Sequence, residues 1–411
     1  MKIFNVTRLY PSYITNFYRQ NPDYHRNSYQ FQKTKLIADG AVWFDSWGKA
    51  LEKYGYVTDE ALANVHPLQL SWAKEQGYSW NKRYWQKQVA VAQIIRFKPD
   101  ILFLEDWSFF SAGEVLEIRQ ACPSICSVIS WCGAPYDDLS VFSAHNIVLS
   151  CIPELVQIFR NSGHRSYHLN HAFDPDILDL LPKKKIDDVR ISFTGQIERG
   201  KKKHARREAL LLYLSKHYRS LKIFTPSADI SWQASAKTGL KQAAFILNLQ
   251  LRKISNLNNI LDKVSLFSRV NAWQYFPIKP VNSNLKPHLR SPIFGVKMYQ
   301  LLRDSTVTLN SHIDVSTHSA SNMRLFEATG VGGCLLTDVK TNLSQLFELD
   351  AEIVAYDSFE ECSEKIRWLL DNPQKRNSIA EAAQKRVLKS HTFAYRAVQL
   401  DEIIRSSLSS S

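Results

Sequence analysis

The stretch that most constrains the fold is Ser319 to Asp338, SASNMRLFEATGVGGCLLTD. Ser321 or Asn322 can cap a helix whose apolar side is Met323, Phe326 and Ala328, with Leu325 near the seam. The helix stops at Gly330, and Gly330-Val331-Gly332-Gly333 turns the chain into Cys334-Leu335-Leu336, a short apolar run ending at Thr337-Asp338. Helix, tight turn and buried strand make half of an α/β unit, with open backbone N–H groups at the helix start. Such a start attracts anions, phosphates above all. Glu327 lies beside the glycine turn, one helical turn from Met323. A carboxylate there can accept hydrogen bonds from a sugar's hydroxyls while the helix start holds a diphosphate. An ordinary exposed helix residue is the other reading, and the stretch alone leaves both open.

The first half of the chain alternates strands and helices. Lys2–Val6 reads as a strand, with Arg8 to Tyr13 leaving its carboxyl end as a loop. Phe31 to Tyr54 carries a helical pattern ending near Gly55, and Leu68–Glu75 and Trp80–Arg96 read as helices, the second long and amphipathic. Ile101–Leu104 is a continuous apolar run suited to a parallel sheet, ending at Glu105-Asp106-Trp107. Helix Ala112–Ala121, strand Ile125–Ser130, strand Ile147–Cys151, helix Pro153–Asn161 and strand Tyr167–Asn170 follow. This alternation predicts a doubly wound α/β sheet, whose ligands gather at strand carboxyl ends. The rule selects Arg8, Glu105, Asp106, Trp131 and His171 to face a cleft. Asp106 is the preferred acceptor-side base, although an Asp after a strand also serves as a turn former or helix cap. His171 reads equally well as a hydrogen-bonded structural histidine.

Pro182 to Lys185 and Asp187-Asp188 read as a solvated linker. Strand Val189–Phe193 follows, and its turn into the next helix is strongly basic, with Gly195, Arg199, Lys201, Lys203 and Arg206. Such a run is either a solvated face or a phosphate cradle. Helix Arg207–His217 and strand Leu221–Phe224 continue the unit. Asp229 to Pro292 is least informative: Trp273, Tyr275, Phe276, Lys279, Lys286 and Arg290 form either an acceptor or membrane-surface loop or an insertion packed on its own domain. Helix Val296–Arg303 and strand Thr306–Leu309 lead to Asn310–Asp314 at a strand carboxyl end. His312, Asp314, Asn322, Arg324 and Glu327 thus belong to one strand–loop–helix unit, and the cluster argues for a site more strongly than any single member. Strand Glu352–Tyr356, helices Phe359–Leu370 and Gln374–Ser390 and a last helix through Ile404 complete the pattern, with Ser406–Ser411 expected as a disordered tail.

A length of 411 residues suits two domains, and 45% hydrophobic with 22% charged residues excludes a disordered chain. The net charge of +13 suits an anionic partner, whether nucleotide diphosphate, acidic glycan, lipid surface or nucleic acid, and does not choose among them. Lys2–Val6 is a strand and not the apolar core of a signal, and the longest apolar runs, Ala209–Leu214 and Ala243–Leu251, are too short or interrupted to span a bilayer. A cytoplasmic location, extending to the inner face of the membrane, is the expectation. Cys122, Cys126, Cys132, Cys151, Cys334 and Cys362 show no paired metal spacing and read as reduced, mostly buried thiols.

The same residues carry a resemblance. NMRLFEATGVGGCLLTD and the later ELDAEIVAYDSFEECSEKIRWLLDNPQKRNSIAEAAQKRVLKSHTF resemble the C-terminal half of group 1 (GT4-like) glycosyltransferases, nearest the CgeB-like branch, over Phe294 to Leu400. The resemblance implies a GT-B fold, two Rossmann-like doubly wound domains facing across a cleft. It places an acceptor domain at 1–177 and a nucleotide-sugar donor domain at 178–390, with 391–411 a terminal helix crossing back to the first domain. HLNHAFDPDIL resembles the family's hinge stretch. Gly195 with Arg199 and Lys203 matches, with altered wording, the turn that neutralises the leaving diphosphate. Ser321, Asn322, Met323, Arg324 and Glu327 match the donor-binding segment. Two departures stand out. The family's first-domain His is replaced by Trp131-Cys132-Gly133, and the earlier of two glutamates eight positions apart is Ser319, so that His312 or Asp314 takes its place.

The activity so implied is transfer of a sugar from a nucleotide-diphosphate donor to a hydroxyl acceptor such as a glycan. Retention at the anomeric carbon, front-face attack assisted by the leaving phosphate, and no metal or other cofactor are expected. Asp106, His312 and Asp314 are the catalytic candidates; Arg8, Trp131 and His171 are the acceptor-side ones. Peripheral membrane contact is compatible with the charge, and nucleic acid is not the expected partner. The alternatives are a non-catalytic basic protein that binds nucleic acid or anionic glycan on the same fold, and a GT-B sugar epimerase or phosphorylase.

Overall fold

The computed structural model describes residues 1–134, 136, 138–184, 189–197, 205–226, 232–251, 270, 281–314 and 316–409, the side chains of 232–235 excepted. The first six strands are β1 (Lys2–Thr7), β2 (Val57–Leu62), β3 (Ile101–Leu104), β4 (Ser127–Trp131), β5 (Ile147–Ser150) and β6 (Ser166–His168). They form a parallel sheet in the order β2-β1-β3-β4-β5-β6. The next six are β7 (Ile191–Thr194), β8 (Leu221–Phe224), β9 (Leu289–Arg290), β10 (Val307–Leu309), β11 (Leu335–Asp338) and β12 (Val354–Tyr356), in the order β12-β11-β10-β7-β8-β9. In each sheet the chain leaves the first strand to one side and later returns to the other. The crevice beyond the carboxyl ends at that reversal, β1 beside β3 in the first sheet, is where such folds bind ligands.

Two compact units divide the chain: Met1–Ser192 with Ile293–Ser411, and Phe193–Pro292. In the larger unit the central strands are buried on both faces, as the continuous apolar run Ile101–Leu104 predicts. One side packs Phe103, Ile129, Ile147 and Leu149 against Trp47 and Leu51, and the other packs Phe4, Val6, Leu102 and Leu104 against Ala90, Ile94 and Val115. Each such side chain contributes about 1.5–3 kcal/mol by leaving water. β10, β11 and β12 follow the same logic around Phe326, Leu335, Phe347 and Ile353. The smaller unit holds helices Ala205–His217 and Trp232–Leu251 with the parallel pair β8 and β9.

Gly330 and Gly333 explain the turn that the sequence emphasises. A Cβ on Gly330 would lie 2.4 Å from the Phe173 ring, and one on Gly333 would lie 2.3 Å from the Leu302 carbonyl oxygen. The glycines are there for close approach. Phe173 is itself fixed at both backbone groups: its N–H donates to His391 and its carbonyl accepts from Phe393.

Several elements differ from the sequence reading. Pro11 opens a helix, Pro11–Gln20, where a loop was expected; proline at the first helical position supplies φ and has no N–H to waste. β2 is an edge strand that periodicity does not show, because its outer half, Val57-Thr58-Asp59, stays at least partly exposed. The helix expected from Trp80 begins at Trp85. The tail is shorter than expected, since helix Phe393–Ser409 runs through Ser406. Phe393, Ala397, Leu400, Ile403 and Ile404 recur at helical spacing and join the core of the first sheet. Tyr56 Oη donates to Asp401 Oδ1 at 2.7 Å on that face.

Candidate active site

Strand β3 supplies the first side chain. Phe103 and Glu105 lie two positions apart at its carboxyl end, so the alternation of a strand carries both to one side. Both line a cavity with Trp43, Trp47, Trp131, His171, Tyr299, Met323, Glu327 and Phe393. The space open to the centre of a water molecule is about 20 Å³, room for roughly one water. Its wall is aromatic: His171 meets Trp43 edge-on at 5.2 Å and Trp131 at 5.3 Å, and Trp47 meets Phe393 at 5.2 Å. Burial, with the Arg396 charge second, pushes the His171 imidazole down to about 3, so it is neutral at physiological pH.

Glu105 accepts a hydrogen bond from Asn5 Nδ2 at 3.1 Å. Burial, with Asp106 adding to it, pushes its carboxyl up to about 7 against the pull of Asn5 and Thr7. Asp106, the residue the sequence preferred, does not line the cavity. Its carboxylate pairs with Arg8 Nε at 2.5 Å and accepts Ser108 N–H at 3.2 Å and Ser108 Oγ at 2.8 Å. It is the turn former of the alternative reading, and it occupies Arg8 as well. The strand period is the signal that separates the two acids: 103 and 105 share a face, and 106 does not.

Glu327 is not an exposed helix residue; it is 4% exposed. Arg324 Nη1 stands 2.7 Å from its Oε2, an ion pair by distance in which the N–H is not aimed well enough for a hydrogen bond. Tyr299 Oη reaches Oε1 only at 3.5 Å. Burial raises the Glu327 carboxyl and Arg324 opposes it. Arg324 Nη1 also contacts Met298 Sδ at 3.1 Å, and its Nε is buried without a partner.

The helix carrying these residues is Arg324–Gly330, starting later than expected, with Met323 at its N-cap. Asn322 still accepts Leu325 N–H at 3.3 Å. Its amide is shared with the strand before, for Asn322 Nδ2 donates to Asn310 Oδ1 at 2.8 Å, and Asn310 Nδ2 donates to Thr337 Oγ1 at 2.8 Å. Ser321 is buried with its hydroxyl on Ser316. Asn322 and Ser321 therefore spend their side chains on bracing the loop. Met323 lines the cavity.

His312 leaves the carboxyl end of β10 beside the end of β11. Asp338 Oδ1 accepts both its backbone N–H at 2.9 Å and its Nδ1 at 2.7 Å. Lys340 Nζ stands 3.4 Å from Asp338 Oδ2. Burial works against ionisation of Asp338, but His312 and Lys340 hold it well below the usual carboxylate range. His312 Nε2 is buried without a partner. Asp314 sits on the same loop, its carbonyl accepting Thr317 Oγ1 at 3.1 Å. Asp338 ends a strand as His312 does, and Tyr299 carries no sequence signal of its own; only the fold brings them to His312 and Glu327.

In the smaller unit, Gly195 N–H donates to Phe224 at 3.1 Å, and the buried Arg207 closes the turn by donating to Gln196 O at 2.8 Å. Arg199, Lys201 and Lys203 lie outside the described residues, as do Trp273, Tyr275, Phe276 and Lys279. Among the described residues no group of three or more His, Cys, Asp or Glu is placed to hold a metal ion, and no helix is long and apolar enough to cross a membrane. All six cysteines are free, and Cys126 alone is exposed.

Two parallel six-stranded sheets in this arrangement define the GT-B fold. HepE of Anabaena, in its complex with UDP-glucose, is similar at a TM-score of 0.53 with 11% identity, over 99% of this chain and 100% of that one. Sucrose-phosphate synthase of Thermosynechococcus elongatus is similar at 0.52 with 10% identity, over the whole of both chains. Residues 248–402 match the family model described as glycosyl transferase-like. A comparison with curated proteins finds no match.

Proposed function

We propose that the protein is a glycosyltransferase that moves a sugar from a nucleotide-diphosphate sugar to a hydroxyl acceptor. The observation that carries this reading is the ion pair of the buried Glu327 with the half-buried Arg324, set in a GT-B fold and inside the segment that matches the glycosyl transferase-like family. Glu327 accepts hydrogen bonds from the donor's hydroxyls, and Arg324, whose Nε has capacity to spare, meets its phosphates. His312 and Asp314 take the place of the missing first glutamate; the aromatic wall of Trp131 and His171 excludes water around the acceptor hydroxyl. The finer reading is a group 1, GT4-like enzyme near the CgeB-like branch that retains anomeric configuration and needs no divalent cation. It divides the labour near residue 177, with the acceptor on the first domain. A glycan reached at the inner face of a membrane suits the charge of +13.

The test is thermal stabilisation by UDP, GDP, dTDP, ADP and CMP and their sugars, without metal, for wild type and Glu327→Ala. HepE, crystallised with UDP-glucose, makes UDP the first base to try. Saturation at a hundred times the dissociation constant stabilises by about 2.7 kcal/mol. Selective stabilisation by one nucleotide, lost in the variant, supports the reading. Turnover that requires magnesium or manganese removes its metal-independent part. The net charge favours one other reading, a non-catalytic polyanion binder; steeply salt-dependent binding to polyanions with no nucleotide response would replace the enzyme with it.

A further inference from the structure

Behind Glu105 the first sheet carries an unusual row of buried polar groups. Asn5 on β1 and Glu60 on β2 are register partners on neighbouring parallel strands, so their side chains share a face. Asn5 is fully buried and Glu60 is 3% exposed. Asn5 Nδ2 donates to Glu105, while Asn5 Oδ1 and Glu60 Oε2 have no partner. Two unsatisfied acceptors on register partners are costly, and a proton on Glu60 supplies a donor where the row has none. Burial pushes the Glu60 carboxyl up to about 8, Lys33 opposing and Glu105 adding to the rise. Lys33 does not neutralise the row, because its Nζ is taken by Asp59 and the Glu60 carbonyl. A protonated Glu60 fixes which way the Asn5 amide points, and Asn5 then holds Glu105 at the mouth of the one-water cavity.

We propose that Glu105 is the carboxylate that seats the acceptor hydroxyl, held from behind by Asn5 and Glu60. This rests on the sugar-transfer reading. The cavity accepts one oxygen-sized group, Glu105 supplies the hydrogen-bond acceptor, and the rings keep other water away. Glu105 orients the hydroxyl and takes no proton from it: as the hydroxyl oxygen bonds to the anomeric carbon and the bond from that carbon to the phosphate oxygen breaks, the proton passes to the leaving diphosphate. Asn5 and Glu60 are positioning residues. The ionisable groups that face Glu105 are Asp106 beside it, Glu60 across the sheet, and His171, Tyr299 and Glu327 around the cavity. His171 stays neutral and Tyr299, raised by burial, stays protonated, so the wall groups whose charge can change are the two acids, Glu105 and Glu327, and the Glu105 variants tell them apart.

The test uses whichever nucleotide sugar of the panel stabilises the full-length protein, with water in the acceptor's place. Its hydrolysis rate and its dissociation constant are measured from about pH 5.5 to 8.5. In wild type the rate falls about tenfold per pH unit below about 7, following the ionised fraction, and donor affinity does not. Glu105→Gln is slower by on the order of 10²-fold with no slope, at unchanged donor affinity. Glu105→Asp retains the slope and guards against a Gln variant that fails to fold. Glu60→Leu slows hydrolysis, and Glu60→Gln, whose amide can donate to Asn5 Oδ1, restores most of the rate. A slope that survives in Glu105→Gln overturns the proposal, and so does donor affinity that falls with the rate. Wild type that binds no nucleotide sugar removes the sugar-transfer reading and this inference with it, an outcome distinct from either.

Discussion

Glu60 on β2 and Asp338 at the end of β11 are both almost fully buried, yet their protonation runs in opposite directions. Asp338 has a histidine and a lysine within reach, with a backbone N–H on the same oxygen, and stays ionised. Glu60 has one nearby lysine that is committed elsewhere and a second acid, Glu105, beyond Asn5. Glu327 falls between them, with the single cation Arg324. Burial penalises charge at every one of these positions; the count and aim of the cationic partners decide what charge survives. The paired cluster is built for rigidity. The unpaired row keeps an acid near its titration point beside a cavity, the condition that a site working at neutral pH needs.

The most severe way to break the contrast is to strip Glu327 of its cation. Arg324→Met should cost about 3–5 kcal/mol at neutral pH by leaving a buried carboxylate alone. Urea unfolding should show a smaller loss as pH falls, because burial raises the Glu327 carboxyl and protonation relieves it. Asp338→Asn comes next, at about 2–3 kcal/mol near neutrality. Because the Asp338 carboxyl is held below its unfolded value, wild type keeps this stability above about pH 4 and loses it in stronger acid. The deficit of the variant should therefore vanish on acidification, read as converging melting temperatures.

Glu60→Gln should act in the other direction. A carboxyl raised in the folded state contributes stability fully below its unfolded value, near about 4.3, and loses it as pH rises through the folded one. With the folded value at about 8, the variant should match wild type near pH 4 and gain on it by up to about 1.4 kcal/mol per pH unit as pH rises toward 8. A variant that is less stable at every pH would show that Glu60 is ionised and paired. The smallest effect is expected at Asp401, which Arg405 Nε already holds at 2.7 and 2.9 Å. Tyr56→Phe removes only the neutral donor from that acid and should cost about 1 kcal/mol, independent of pH near neutrality.

Much of the fold is legible along the chain because it is local. Ile101–Leu104 reads correctly as a strand since a run of apolar residues between turn signals has few other uses, and Leu221–Phe224 because Leu221 and Ile223 alternate with a half-exposed lysine. Pro153–Asn161 reads correctly as a helix for the same kind of reason, a proline start and an apolar stripe. β2 fails because its pattern is weak and pairing with β1 completes it, and the helix at Pro11 fails because a proline reads equally as a turn or as a helix start. The site divides along the same line. Glu327 and Arg324 stand out because their spacing on one helix is fixed by its geometry, and His312 because it ends a strand.

What the sequence by itself determined is therefore the alternation of strands and helices, the glycine turn at 330–333 and the helix that carries Arg324 and Glu327. Tertiary structure alone decided that Glu105 and not Asp106 enters the cavity, that Tyr299 and Asp338 reach Glu327 and His312, and that the one lysine near Glu60 is held by Asp59. Those outcomes depend on partners 26 to 100 residues away in the chain. A residue's type announces what it can donate, accept or ionise to. Its state is set by what the fold places against it.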